Sequence, residues 1–212
     1  MENRMIKLYS KNSSVPLRAV PGHFATGHSH VNYYIDMTAL KARISEATDV
    51  ARTLVAMYHS GDVIDTIACL EGTEVIGTLM AEEFARAGYR SMNAHDSVYI
   101  VTPEHNNNGQ LIFRENLQPM IRGKNVLILV ASVTTGITVR KMIECTQYYG
   151  GTVAGACAIF SAAPEIDGQA ITSVFTADDV PGYKSWPSAS CELCRGGCKL
   201  DAIVNSYGYS KF

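Results

Sequence analysis

Apolar residues fall along this chain in two rhythms, unbroken runs and helical stripes. Val126-Leu127-Ile128-Leu129-Val130 has no polar alternation, as a central parallel strand covered on both faces would. Val63 to Leu70 and Thr152 to Phe160 read the same way, with shorter strands over Ser97 to Val101 and Ala170 to Phe175. Between them, Ile44, Ala47, Val50, Leu54, Val55 and Tyr58 share one helical face, and a second helix is predicted over Glu74–Ala87. A third starts in the Thr-Gly turn at 134–138 and runs to about Tyr149, where Gly150-Gly151 closes it. Alternating strands and helices predict an α/β fold, an open parallel sheet with helices on both faces.

Two stretches break the rhythm. Residues 1–40 read as irregular, apart from a turn at Gly27 and a short strand in Val31–Ile35. PEHNNNGQ, residues 103–110, reads as a mobile surface loop. The expected organisation is one domain over 1–212, with residues 1–40 and the Cys-containing tail 180–212 added to a single core.

Composition narrows the partners. The chain of 212 residues is 47% hydrophobic and 18% charged, with a formal net charge of −2. Nothing in that balance attracts nucleic acid or a membrane surface. No segment approaches the roughly 20 apolar residues of a membrane span, and no leader is apparent, so a cytoplasmic location is expected.

Candidate chemistry concentrates after the first long apolar run. Ser132, Thr134, Thr135, Gly136, Ile137 and Thr138 bring hydroxyls and backbone N–H groups to the start of a helix, a seat for a phosphate monoester or another small anion. Ordinary hydroxyl capping is the alternative. No carboxylate ends this strand and no lysine lies in the turn. A second strand–helix junction carries Glu71, Gly72 and Thr73. Neither matches a dinucleotide fingerprint or a Walker loop. His23, His28 and His30, with Asp36 nearby, form a polar and aromatic patch that suits a ligand-covering or interface segment better than a metal site. Cys69, Cys145 and Cys157 belong in the core. Cys191, Cys194 and Cys198 are spaced for one metal ion such as zinc, but no fourth ligand is near in sequence. Packing of a glycine-containing turn is therefore preferred to metal or redox roles.

VLILVASVTTGIT resembles the signature of the type I phosphoribosyltransferases, most closely the orotate phosphoribosyltransferases. HFATGHSHVNYYID is similar to their N-terminal segment, CLEGTEVIGTLMAEEFA to their diphosphate-loop unit, and GGTVAGACAIF to the strand after the signature helix. The resemblance covers nearly the whole chain. It implies a type I phosphoribosyltransferase-like fold with a small hood built from both chain ends, a homodimer, and Mg²⁺ accompanying phosphoribosyl diphosphate (PRPP). It implies that Thr134, Thr135, Gly136, Ile137 and Thr138 hold a 5′-phosphate, that Glu71, Gly72 and Thr73 border diphosphate, and that Thr26, Gly27, His28, Tyr33 and Tyr34 cover a base.

The departures are specific. The family's two ribose-binding acids are Val130 and Ala131, its second signature glycine is Ile137, and the cationic positions of its mobile loop fall on Thr102, Pro103 and Asn106. Arg122 and Lys124 precede the strand, at the end of the sheet away from a ligand. Fixed cations stabilise charge on departing diphosphate, so their loss removes help specific to the transition state. The expected function is binding of PRPP or a nucleotide monophosphate with weak or absent transfer, and no catalytic residue is assigned. The alternatives are an active orotate-like or purine-like transferase of nucleotide metabolism, such as pyrimidine biosynthesis, or a regulatory protein with no ligand.

Overall fold

The computed structural model describes residues 2–11, 13–59, 62–93, 95 and 97–212. In chain order the elements are β1 (Ile6–Leu8), β2 (Leu17–Ala25), β3 (His30–Asp36), α1 (Thr38–Ala42), α2 (Ile44–Val55), β4 (Thr66–Cys69), α3 (Glu74–Arg86) and β5 (Tyr99–Val101). There follow β6 (Glu104–His105), β7 (Leu111–Ile112), β8 (Asn125–Val133), α4 (Ile137–Tyr148), β9 (Thr152–Ser161), β10 (Glu165–Ile166) and β11 (Gln169–Thr176). The chain ends with β12 (Ser185–Trp186), α5 (Glu192–Arg195), β13 (Ala202–Asn205) and β14 (Gly208–Lys211).

The central sheet runs β10-β11-β9-β8-β4-β5. All its neighbours are parallel except β10 against β11. Strand β8 is covered on both sides, as its unbroken apolar run requires. Its Leu127, Leu129 and Ala131 pack with Val50, Leu54, Ile76 and Met80 of α2 and α3. The alternate residues Val126, Ile128 and Val130 pack with Val139, Met142 and Cys145 of α4. This is a type I phosphoribosyltransferase-like α/β architecture with extensions at both ends.

The described residues of the segment 1–40 are not irregular. Strands β2 and β3 form an antiparallel hairpin, with the register shifting between Pro21 and Phe24. Pro21 and Gly22 look like strand breakers in sequence, but a bulge tolerates both. The C-terminal segment completes this second sheet, β12 pairing with β3 and β13 lying parallel to β2, in the order β12-β3-β2-β13-β14. The surface loop at 103–110 is likewise a correction. β6 and β7 pair as a short hairpin, and its turn is internally bonded, Asn106 N–H donating to Gln110 O at 2.9 Å. Among the described residues no helix is long and apolar enough to cross a membrane.

Candidate functional site: a cleft at the sheet's switch point

In the order β5-β4-β8-β9-β11, the chain steps outward from β4 in one direction and from β8 in the other. Open parallel sheets leave a crevice at such a reversal, beyond the strands' carboxyl ends. Here Glu71 after β4, Ser132 at the end of β8 and Thr134–Thr138 after it line a cleft. Thr26, Gly27, His28, Tyr33 and Tyr34 of the N-terminal hairpin line it from above. Four further lining residues, Tyr183, Val204, Asn205 and Ser206, come from the C-terminal segment and carry no sequence signal.

The turn into α4 is shaped by Gly136, which occupies the N-cap with φ of 77°. That left-handed conformation favours glycine, and an added Cβ would lie 2.2 Å from Ile166 Cδ1. No side chain caps the helix and no acid occupies its first turn. The capping alternative for Thr134 and Thr135 therefore does not apply, and the first-turn N–H groups keep no side-chain partner within the helix. Burial raises the Tyr183 phenol pKa, opposed by its hydrogen bond with Thr134.

The cleft's carboxylate comes from the neighbouring strand. Glu71, with φ of 61°, turns back so that its Oε2 accepts the backbone N–H groups of Ala131 and Ser132, both at 3.2 Å. Burial raises its pKa, while those two amides and the Lys41 ammonium pull it down. Lys41 is itself buried and missed by sequence reasoning; its Nζ donates to Glu71 O at 2.8 Å and Ser206 O at 2.6 Å. It thus ties the loop after β4 to the C-terminal segment. Gly72 and Thr73 do not line the cleft, contrary to expectation: Thr73 is fully buried and its hydroxyl donates inward to Leu70 O at 2.9 Å and Leu129 O at 3.2 Å. Val130 and Ala131 are core residues with zero exposure.

The histidine and cysteine readings need a larger correction. His23, His30, Cys191 and Cys194 converge, their four donor atoms all within 4.8 Å of one another. Two of the tail cysteines thus meet two histidines of the N-terminal hairpin. Cys198 does not join; its Sγ lies 3.7 Å from Lys199 O. His28 stays at the exposed turn tip, and Asp36 instead accepts the N–H of Thr38 at 2.9 Å.

No family model matches the chain. It is similar to the orotate phosphoribosyltransferase of Thermus thermophilus, 26% identical over 204 residues, or 94% of this chain and 99% of that protein. That of Pelotomaculum thermopropionicum is 26% identical over 201 residues, 92% of this chain and 93% of its own. Among solved structures, a phosphoribosyltransferase from Corynebacterium diphtheriae superposes with a TM-score of 0.52 at 14% identity, covering 70% of this chain and 85% of that one. The adenine phosphoribosyltransferase of Thermoanaerobacter pseudethanolicus gives 0.51 at 16% identity, covering 68% and 88%. The sequence likenesses support a broad phosphoribosyltransferase-superfamily assignment, not an orotate one in particular, and the two structures share the fold.

Proposed function

We propose that the cleft binds a 5-phosphoribosyl compound, PRPP or a nucleotide monophosphate, and that transfer of its ribosyl group is weak or absent. The observation that carries this reading is the uncapped turn Thr134–Thr138 at the switch point, open to the cleft and backed by Ile166. Hydroxyls and helix-terminal N–H groups suit a phosphate monoester. Glu71 adds a carboxylate beside the strand end where the resembled family keeps two acids, so one acceptor remains for the ribose hydroxyls. Glu71 offers one protein oxygen at most, so a Mg²⁺ ion accompanying PRPP would take its other ligands from the diphosphate and water.

Transfer also needs cations where diphosphate departs. Arg114, after the β6–β7 hairpin, is held by Glu104 at 2.8 Å, and Lys41 by two carbonyls. An active transferase is the second reading, favoured by the Glu71 carboxylate alone.

Calorimetry tests the binding claim. The native protein takes up PRPP or a nucleotide monophosphate, and Thr135→Val with Thr138→Val weakens that by about a hundredfold, two hydrogen bonds to charged oxygens being worth about 3 kcal/mol. Unchanged affinity in the double variant would remove the site. Steady release of diphosphate from PRPP with any nucleobase would favour the active enzyme.

A further inference from the structure

We propose that His23, His30, Cys191 and Cys194 form a tetrahedral zinc site that clasps the chain's two ends together over the cleft. The distances carry it. Tetrahedral zinc, with Zn–S near 2.3 Å and Zn–N near 2.0–2.1 Å, sets ligand edges of roughly 3.4 Å between two nitrogens and roughly 3.6 Å between nitrogen and sulfur. His23 Nε2 lies 3.1 Å from His30 Nδ1, 3.4 Å from Cys191 Sγ and 3.7 Å from Cys194 Sγ. Cys194 Sγ lies 3.3 Å from His30 Nδ1. Four of the polyhedron's six edges thus have metal-site lengths.

A second observation orients one ligand. His23 Nδ1 is 2.9 Å from the Cys198 carbonyl, which can only accept, so Nδ1 donates there and, in the neutral ring that a metal binds, Nε2 presents the lone pair to the cluster. Hydrogen bonding through the other ring nitrogen is how metal-bound histidines are oriented. Three groups converge on that lone pair, more than hydrogen bonding can use, whereas one divalent cation satisfies all four donors. His23 and Cys191 are buried, with exposures of 0% and 1%. Binding displaces the protons of both thiols, and two thiolates with Zn²⁺ leave the half-buried site neutral.

The fold builds the site from separate parts. His23 lies in the β2 bulge, a device that re-aims side chains. His30 opens β3, and the Thr26–Ser29 turn between the two histidines lines the cleft. Cys191 and Cys194 bracket the first turn of α5, with the spacing common in zinc knuckles. A metal here therefore holds the base of the turn that covers the proposed ligand. The assignment does not depend on what that ligand is.

The experiment is metal analysis of the full chain purified without chelator, with cobalt substitution. About one zinc per chain is expected, and Co²⁺ replacement should give intense tetrahedral d–d bands with thiolate charge transfer. Cys194→Ser and His30→Ala should each lose the metal, and Cys198→Ser and the Thr135/Thr138 double variant should keep it. The idea is overturned by a reduced protein that takes up neither Zn²⁺ nor Co²⁺. Zinc kept in Cys194→Ser, zinc lost in a folded Cys198→Ser, or a Cys191–Cys194 disulfide in metal-free protein handled without air would do the same. The cobalt spectrum of the unmutated chain decides the matter even if a ligand variant fails to fold.

Discussion

Glu71 shows how one residue changes the reading of a site. In sequence it borders a Gly-Thr junction, and the strand end at Val130-Ala131 looks stripped of carboxylate. In space its carboxylate is bonded to the backbone of Ala131 and Ser132, a placement that requires the positive φ of Glu71 and is invisible in residue order. Gln at this position keeps an oxygen for those amides and removes the charge. Glu71→Gln should therefore weaken PRPP or nucleotide binding by about tenfold, the loss of one charge-assisted hydrogen bond, while inorganic phosphate binds as well or better. Calorimetry with both ligands separates the effects, and equal loss for both would show that Glu71 does not meet the ribose. A pH consequence follows from the raised pKa. Folding favours the protonated form, so this stabilisation is complete below the unfolded carboxyl value and fades as pH rises through the folded one. Gln removes the fade.

The elements are unevenly legible in sequence, for a physical reason. Strands β8 and β9 and helices α3 and α4 match their patterns because burial on the central sheet imposes the expected periodicity. The β2–β3 hairpin is hidden in sequence because Pro21 and Gly22 sit at its bulge, and the contact of His23 with Cys191 joins residues 168 apart. The phosphate-seat turn was legible as contiguous sequence, whereas Lys41, Tyr183 and Ser206 reach the site region only through tertiary packing. The strand before α3 was read from Val63, yet β4 begins at Thr66, because Asp65 serves another purpose. It is fully buried and accepts from Asn125 N–H and Asn125 Nδ2, both at 2.8 Å, from Met92 N–H at 2.6 Å and from Ser91 Oγ at 3.2 Å. Burial pulls its pKa up, but those donors together outweigh burial and hold it below the usual carboxylate range. The sign is opposite to that of Glu71: stability is present above the unfolded value near 3.9 and lost as pH falls through the folded one. Asp65→Asn orphans a buried donor, so it should cost about 1–3 kcal/mol at neutral pH and flatten the acid limb of a urea-denaturation series. A variant as stable as the parent at pH 7 would show that this junction does not anchor the sheet's amino edge.

At the scale of the whole molecule, the two sheets are stabilised very differently. The central sheet has large cores on both faces, and the inner residues Leu17, Ala19 and Ile35 of the N-terminal hairpin share one of them. The outer end of that hairpin depends on a small cluster of Val20, Phe24, Val31, Tyr34, Ala202 and Val204. So few apolar side chains bury little area, and cores this small commonly need a staple such as a metal. The proposed clasp sits where that support is thin, since His23 precedes Phe24 and His30 precedes Val31. Removing the metal with a chelator should therefore leave the fold standing and loosen one end of it. Amide hydrogen exchange followed by mass spectrometry should show faster exchange, by about tenfold or more, in Phe24, Val31 and the β13–β14 pair. Protection should persist through β4, β8, β9 and the Leu17–Ala19 end of β2. Affinity for the phosphoribosyl ligand should fall in parallel, because the Thr26–Ser29 turn lies between the two histidines. Uniform exchange across both sheets would mean that hood and core open as one unit, and unchanged exchange would mean that apolar packing alone holds the chain's ends.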